Sequence, residues 1–257
     1  MKLFIKISLL LLLPVFVQAQ QQKQLDSLHM ALDNAANDTI RMDVYDQLAR
    51  YFYEVNPDSS LLYAETELRI ARQLDMKIYE ASALIHHGYD FMVLINYPKA
   101  LEAFLEVQKI AEDPAIEKTV WHFSNSETPR EVRISLLNTN QYFLALLYSV
   151  TGNKEKQMSS FQKAKSYAES IGDTASIGFI TWISGWNYLQ LGKPDSALLF
   201  AQKALFYFSK SGVTFRDRRY SGRTYVGGVY NSIGDIYLVK KKYDSSLYAY
   251  RKGEQIN

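Results

Sequence analysis

Cysteine is absent from the 257 residues of this chain, and only six prolines and 12 glycines occur. Without cysteine, disulfide bonds, thiolate zinc sites, iron–sulfur clusters and cysteine nucleophiles are all excluded. The scarcity of proline and glycine disfavours a loop-rich β-sandwich and is typical of a mainly helical chain. Hydrophobic residues make up 47% of the chain and charged residues 22%, a composition that excludes intrinsic disorder and allows a sizeable core.

The chain also has almost no net charge. Its 29 Lys and Arg residues include Lys2 and Lys6, so that 27 basic residues face 27 acidic ones once residues 1–19 are set aside. This balance provides no electrostatic attraction to nucleic acid or to an anionic membrane surface. We therefore expect no nucleic-acid partner for this chain.

Residues 1–19 have the three parts of a secretory signal peptide. Two lysines form a basic start, an apolar run covers residues 7–17, and Ala19 suits cleavage by a signal peptidase. The run is shorter than the ~20 apolar residues of a membrane-spanning helix, which makes an uncleaved anchor the less favoured alternative. The sequence predicts export to the periplasm, with attachment to the inner membrane only if the chain continues beyond residue 257.

A column of small residues, each followed three positions later by an aromatic, runs through the rest of the chain. The five pairs are Ala49 and Phe52, Gly88 and Phe91, Ala145 and Tyr148, Gly185 and Tyr188, and Gly234 and Tyr237. In four of the five cases a second small residue follows 11 or 12 positions after the first. These second small residues are Ser60, Ala100, Ala197 and Ser246. Antiparallel helices approach closely only where small side chains face each other, so the pattern predicts a packed helix pair at each step.

This pattern resembles the tetratricopeptide repeat, whose 34-residue unit carries small and aromatic residues at matching positions. The resemblance covers nearly the whole chain after the signal peptide. It implies an all-α, right-handed superhelical solenoid of antiparallel helix pairs. The small-residue column advances by 39, 57, 40 and 49 residues, so longer helices and two insertions are expected. We place the array of about five repeats at residues 42–257, with insertions near 112–130 and 210–222 and an incomplete last repeat.

Ahead of the array, residues 20–41 are predicted to form a capping helix and a turn. Leu25, Leu28 and Leu32 share one face of an amphipathic helix that should run from residue 24 to residue 36. A repeat array needs such a cap because its terminal unit otherwise exposes apolar core.

In the tetratricopeptide family, fixed positions on the first helix of each repeat line an inner groove. The resemblance places at these positions Asp46, Arg50, Ile85, Tyr89, Tyr142, Leu146, Trp182, Trp186, Asn231 and Asp235. An apolar and aromatic groove is implied in the middle repeats, formed by Tyr89, Tyr142, Leu146, Trp182 and Trp186. Such a surface suits a protein or peptide ligand. The alternative is that some of these aromatics pack between repeats.

Patterns that carry catalysis or bind metal are scarce. His86 and His87 are adjacent, but neighbouring helical residues point in different directions and cannot share an ion, and His87 falls at a position expected in the core. No H-E-x-x-H pattern, glycine-rich phosphate loop or Ser-His-Asp arrangement occurs. We predict no catalytic residue, no metal and no cofactor. The arginine-rich segment 216–223 is interpreted as a solvated surface, with contact to an anion or a peptide carboxylate as the alternative. The aromatic segment 121–123 is interpreted as packing back over the adjacent core, with contact to a ligand as the alternative.

The signal peptide, the leading amphipathic helix and repeats of roughly 40 residues together resemble the exported front part of sensor histidine kinases that contain tetratricopeptide repeats. A related group ends in a helix-turn-helix regulator. This resemblance implies a periplasmic module that senses a protein or peptide, with any kinase activity and any membrane contact in a continuation beyond Asn257. The alternative is a free-standing periplasmic scaffold for envelope proteins, and an enzyme is the least favoured class.

Overall fold

The computed structural model of the chain describes residues 22–53, 55–119, 128–211 and 222–256. These residues form eleven α-helices and one short 3-10 helix, and no β-strand occurs among them. Within the same ranges, no helix is both long enough and apolar enough to cross a membrane. The predicted signal peptide, residues 120–127 of the first predicted insertion and residues 212–221 of the second lie outside the described residues.

The chain divides into two compact units, and the first ends at Ile110. Its helices are α1 (residues 22–33), α2 (Asp38–Phe52), α3 (Pro57–Gln73), α4 (Lys77–Val93) and α5 (Tyr97–Ala111). Helix α1 ends earlier than its apolar spacing suggests, because the side-chain amide of Asn34 donates to the carbonyl of Met30 and closes the last turn. Helix α3 packs against both α2 and α4, and α5 packs on α4 where Phe104 meets Gly88.

The second unit begins at Ala111 and contains the remaining helices. They are a 3-10 helix (Pro114–Thr119), α6 (Pro129–Val150), α7 (Lys154–Ser170), α8 (Thr174–Gln190), α9 (Pro194–Lys210), α10 (Gly222–Val239) and α11 (Tyr243–Ile256). Each of these helices packs against the next one along the chain. The ten helices α2 to α11 therefore form five successive antiparallel pairs, which confirms the predicted tetratricopeptide-like fold class.

One turn geometry closes six of these helices. In each case one residue adopts a positive φ, and the amide of the residue after it donates to a carbonyl five positions back, at 2.7–3.0 Å. The residues with positive φ are Asp75, Ile95, Gly152, Gly172, Gly192 and Lys241. This is the Schellman arrangement, which satisfies the last carbonyls of a helix and reverses the chain. Its recurrence explains why consecutive helices return alongside one another.

Candidate functional site

The small residues of the repeat column lie where the two helices of a pair approach each other. The Ser246 hydroxyl donates to the Gly234 carbonyl at 2.8 Å, and the Ser60 hydroxyl lies 3.0 Å from the Ala49 carbonyl. The alanines of the column, all fully buried, are Ala49, Ala100, Ala145 and Ala197. A serine in this position satisfies its hydroxyl on the backbone of the facing helix, so it fits the contact as well as alanine does.

All three glycines of the column, Gly88, Gly185 and Gly234, face atoms that leave no room for a side chain. A Cβ atom added to Gly185 would lie 2.8 Å from the Phe200 Cβ and 3.3 Å from the Ala197 carbonyl oxygen. At Gly88 the added atom would overlap the ring of Phe104, which is fully buried. These contacts set the separation of α8 from α9 and of α4 from α5.

The aromatics that follow the small residues are all half-buried: Phe52, Phe91, Tyr148, Tyr188 and Tyr237. Two of them pack on an aromatic of the second helix in their pair. The ring centroids are 5.6 Å apart for Phe52 and Tyr63, and 4.9 Å apart for Tyr188 and Phe200. Phe91 and Tyr148 instead lie under a lysine ammonium of the second helix, at 5.2 and 5.4 Å. These aromatics thus lie at the edge of each helix pair, whereas the small residues lie at the close contact between the two helices.

The residues of the predicted groove fall in different environments. In the first unit, Tyr89 stacks on Tyr53 with ring centroids 3.6 Å apart. In the second unit, Tyr142 and Leu146 are half-buried on α6. The ring of Tyr142 lies 5.1 Å from that of Phe179 on α8.

Trp182 packs between α8 and α10. Its indole N–H donates to the Ser232 hydroxyl at 2.9 Å. Its ring packs against the backbone of Gly228, where an added Cβ atom would come within 2.7 Å of the ring. The rings of Phe179 and Tyr225 meet it edge to face at 6.0 and 6.4 Å. We call Tyr142, Phe179, Trp182 and Tyr225 the aromatic layer. Because these rings contact one another, the layer belongs to the packing between helices of the second unit.

Trp186, one helical turn after Trp182, is exposed to 42%. It follows Gly185 directly, so the tightly packed contact between α8 and α9 fixes its backbone. A large rigid aromatic held outward on a rigid helix can bury much area at little cost in rotamer entropy. Of the five residues predicted for the groove, Trp186 is therefore the one best placed to contact a partner.

In the first helix pair, the predicted groove positions carry a buried ion pair. The guanidinium of Arg50 donates to both carboxylate oxygens of Asp46 at 2.7 Å, and Asp46 is buried. The tetratricopeptide pattern places Asp46 and Arg50 at positions that line the exposed groove. The structure turns Asp46 towards α3 and α4, where Glu67 and His86 lie.

Asp46, Glu67 and His86 form a buried cluster that sequence reasoning missed. The Nδ1 atom of His86 lies 3.7 Å from the Oδ1 atom of Asp46 and 3.7 Å from the Oε2 atom of Glu67. Burial raises the pKa of Glu67 well above its ordinary value, and the Asp46 charge raises it further, whereas Arg50 lowers it. Of the two adjacent histidines, His86 is the fully buried one. His87 is half-buried, and burial lowers its pKa to about 4, so it is neutral near pH 7.

Another buried acid, Asp90, lies on the same helix as His86. The Ser60 hydroxyl lies 2.9 Å from the Oδ2 atom of Asp90 and 3.0 Å from the Ala49 carbonyl. Ser60 has one proton, and the carbonyl can only accept, so both contacts are satisfied when Asp90 carries a proton of its own. Burial agrees with this, since it raises the Asp90 pKa from 3.8 to about 7, against a smaller lowering by Ser60.

Asp90→Asn should stabilise the protein in alkaline solution. The folded chain holds the Asp90 proton more tightly than the unfolded chain, so its contribution to stability is complete below pH ~4 and is lost as the pH rises to ~7. An asparagine has the shape of the neutral acid at every pH. We expect urea unfolding to show a gain of roughly 2–4 kcal/mol at pH 8.5 and little difference at pH 4. Glu102→Gln, at an exposed acid, is the control; equal stability of Asp90→Asn and the parent at pH 8.5 contradicts the protonated Asp90.

The predicted segments 121–123 and 216–221 lie outside the described residues.

No protein-family model matches the sequence, and no curated protein matches it. Among solved structures, the chain is similar to BtubC (BKLC) from P. vanneervenii, at 14% identity and a TM-score of 0.61 over 93% of this chain and 90% of that one. It is also similar to aspartyl phosphate phosphatase F from Bacillus subtilis, at 15% identity and a TM-score of 0.56 over 88% of this chain and 62% of the phosphatase.

At these identities the likeness concerns the fold. The chain spans less than two thirds of the phosphatase and most of BtubC. Both neighbours are helical-repeat proteins, which agrees with the five helix pairs of this chain. The chain is therefore an all-α protein with a tetratricopeptide-like helical-repeat fold.

Proposed function

We propose that this chain is an exported protein-interaction module that binds a protein or peptide through the surface around Trp186. The observation that carries the proposal is the exposed indole of Trp186 on a helix whose backbone is held by Gly185 against α9. Stacked helix pairs provide a large rigid surface, and rigid aromatics are frequent anchors at protein interfaces. The nearly neutral charge favours such an apolar contact over recognition of a polyanion.

We further propose that the module is the sensory front part of a membrane signal-transduction protein of the sensor histidine kinase type. The predicted signal peptide and the long repeats support this. The proposal assigns no catalysis to the chain itself. A membrane span followed by a phosphoacceptor histidine, encoded after Asn257, supports the sensor. A stop codon shortly after Asn257 favours the second candidate, a free-standing periplasmic scaffold.

Site-specific crosslinking tests the binding surface. The photoreactive residue p-benzoylphenylalanine replaces Trp186 in one variant and Leu199 in a control variant. Leu199 is also exposed, but it lies on α9, the second helix of the same pair. We expect several-fold more crosslinked protein at position 186 than at position 199. Mass spectrometry of the same samples should show a chain that starts at Gln20, which tests export.

Two outcomes count against the proposal. Crosslinks that form equally at both positions, or more strongly at position 199, show that the interface is not centred on Trp186. A chain that retains Met1 in the membrane fraction contradicts cleavage of the signal peptide but leaves the binding surface untouched, so the two parts of the proposal fail separately.

A further inference from the structure

The buried cluster of the first unit has the composition of a metal site. Asp46 comes from α2, Glu67 from α3 and His86 from α4, so three consecutive helices contribute one side chain each. One ligand atom from each of the three lies within 4.8 Å of the other two. Carboxylate oxygens and imidazole nitrogens are ligands that zinc and similar divalent ions accept together.

Glu67 shows why a ligand is needed at this point. Its side chain is completely buried, yet within the described part of the chain neither carboxylate oxygen has a hydrogen-bond partner. An isolated buried carboxylate is costly, and more than nine in ten buried polar groups in proteins are satisfied. The Oε2 atom of Glu67 lies 3.7 Å from the Nδ1 atom of His86. A cation bound by Glu67 beside His86 would satisfy the buried carboxylate.

The distances fit a coordinated ion. The Nδ1 atom of His86 is 3.7 Å from one oxygen of each carboxylate, and the two oxygens lie no more than 4.8 Å apart. A point equidistant from three such atoms lies about 2.4 Å from each when the oxygens are 4.8 Å apart and about 2.1 Å when they are 3.7 Å apart. A small closure of the cluster therefore reaches the roughly 2.0–2.2 Å of zinc–nitrogen and zinc–oxygen bonds. The Asp46 carboxylate is held in place by Arg50, which donates to both of its oxygens at 2.7 Å.

We propose that Asp46, Glu67 and His86 bind a divalent transition-metal ion of the zinc class. Glu67, with two oxygens available, can bind through both and so complete a four-coordinate site. An imidazole ligand favours zinc over magnesium or calcium, which prefer oxygen ligands alone. The ion joins α2, α3 and α4 and so links the first helix pair to the second. This role is structural and is independent of the binding surface proposed around Trp186.

Thermal melting of the full chain, first freed of metal with a chelator, tests the site. Zinc in ~100-fold excess over its dissociation constant should raise the Tm by roughly 5–10 °C. Glu67→Gln keeps the shape of the side chain but loses a charged ligand, so the zinc-induced rise should disappear. Glu65→Gln, at an exposed acid two positions away on the same helix, should keep the rise. An equal rise in the Glu67→Gln variant assigns the zinc effect to another part of the chain and overturns the proposal.

Binding of cobalt(II) gives a readout that does not depend on stability. Its visible absorption should appear on titration of the parent protein and of Glu65→Gln, and titration of Glu67→Gln should need at least ~100-fold more cobalt. If Glu67 is instead a neutral, protonated acid with no metal, Glu67→Gln should melt at or above the parent. Zinc and cobalt should then leave the parent unchanged. That result overturns the proposal.

Discussion

Gly185→Leu should destabilise the protein by about 3 kcal/mol or more. The leucine would push α8 away from α9, since even a Cβ atom at this position meets the Phe200 Cβ at 2.8 Å and the Ala197 carbonyl at 3.3 Å. Neither neighbour is the flexible end of a side chain, so neither can move without displacing backbone. Overpacking costs about 1–3 kcal/mol in ordinary cores, and this contact belongs at the upper end of that range or beyond it.

The loss should also spread along the chain, because repeats in a helical array are stabilised by their neighbours. We expect a fall in Tm of roughly 6–12 °C for the full chain. Gln190→Leu, at an exposed position on the same helix, is the control and should change the Tm little. If Gly185→Leu melts with the parent protein, the small-residue column does not mark the close contact between paired helices.

Trp182→Ala should lower the stability by about 3 kcal/mol, and Trp186→Ala should barely change it. Trp182 fills the space over Gly228 and donates to Ser232, so its removal leaves a cavity between α8 and α10 and an unpaired hydroxyl. Truncating a buried tryptophan costs about 3–5 kcal/mol, and the half-buried Trp182 belongs at the lower end. Surface substitutions usually stay within about 0.5 kcal/mol.

Chemical denaturation of the two single variants separates these effects. A double variant that removes both indoles cannot separate the two effects, because a loss of folding would hide a loss of binding. Equal stability of the two single variants contradicts the packing role of Trp182. A Trp186→Ala variant that unfolds as early as Trp182→Ala shows that Trp186 also belongs to the packing, and the binding surface must then lie elsewhere.

The fold was predictable because its determinants repeat. Ala49, Gly88, Ala145, Gly185 and Gly234 recur at comparable places, and each lies on the first helix of a pair. A single small residue before an aromatic carries little information, but five in order define helix pairs. The structure adds the second half of the pattern, in which the Ser60 and Ser246 hydroxyls lie against the backbone of the facing helix.

The environments of individual side chains were less predictable. Trp182 and Trp186 are one turn apart, so helical periodicity alone places both on one face. What separates them is Gly228, which comes from another repeat and lets only Trp182 sink between the helices. The cluster of Asp46, Glu67 and His86 has no sequence motif at all, because each residue lies on a different helix. The sequence feature that comes closest to marking the cluster is Glu67, a buried acid of α3 at a position where an apolar residue would be expected.

The affinity of the partner crosslinked at position 186 shows whether Trp186 anchors the binding surface. Its dissociation constant is measured for the parent chain, for Trp186→Ala and for Leu199→Ala, with the Tm of each variant recorded alongside. We predict that Trp186→Ala weakens binding at least ~30-fold, or ~2 kcal/mol, while its Tm and the affinity of Leu199→Ala stay near the parent values. Unchanged affinity in Trp186→Ala, with the protein fully folded, shows that Trp186 is not the anchor of the binding surface.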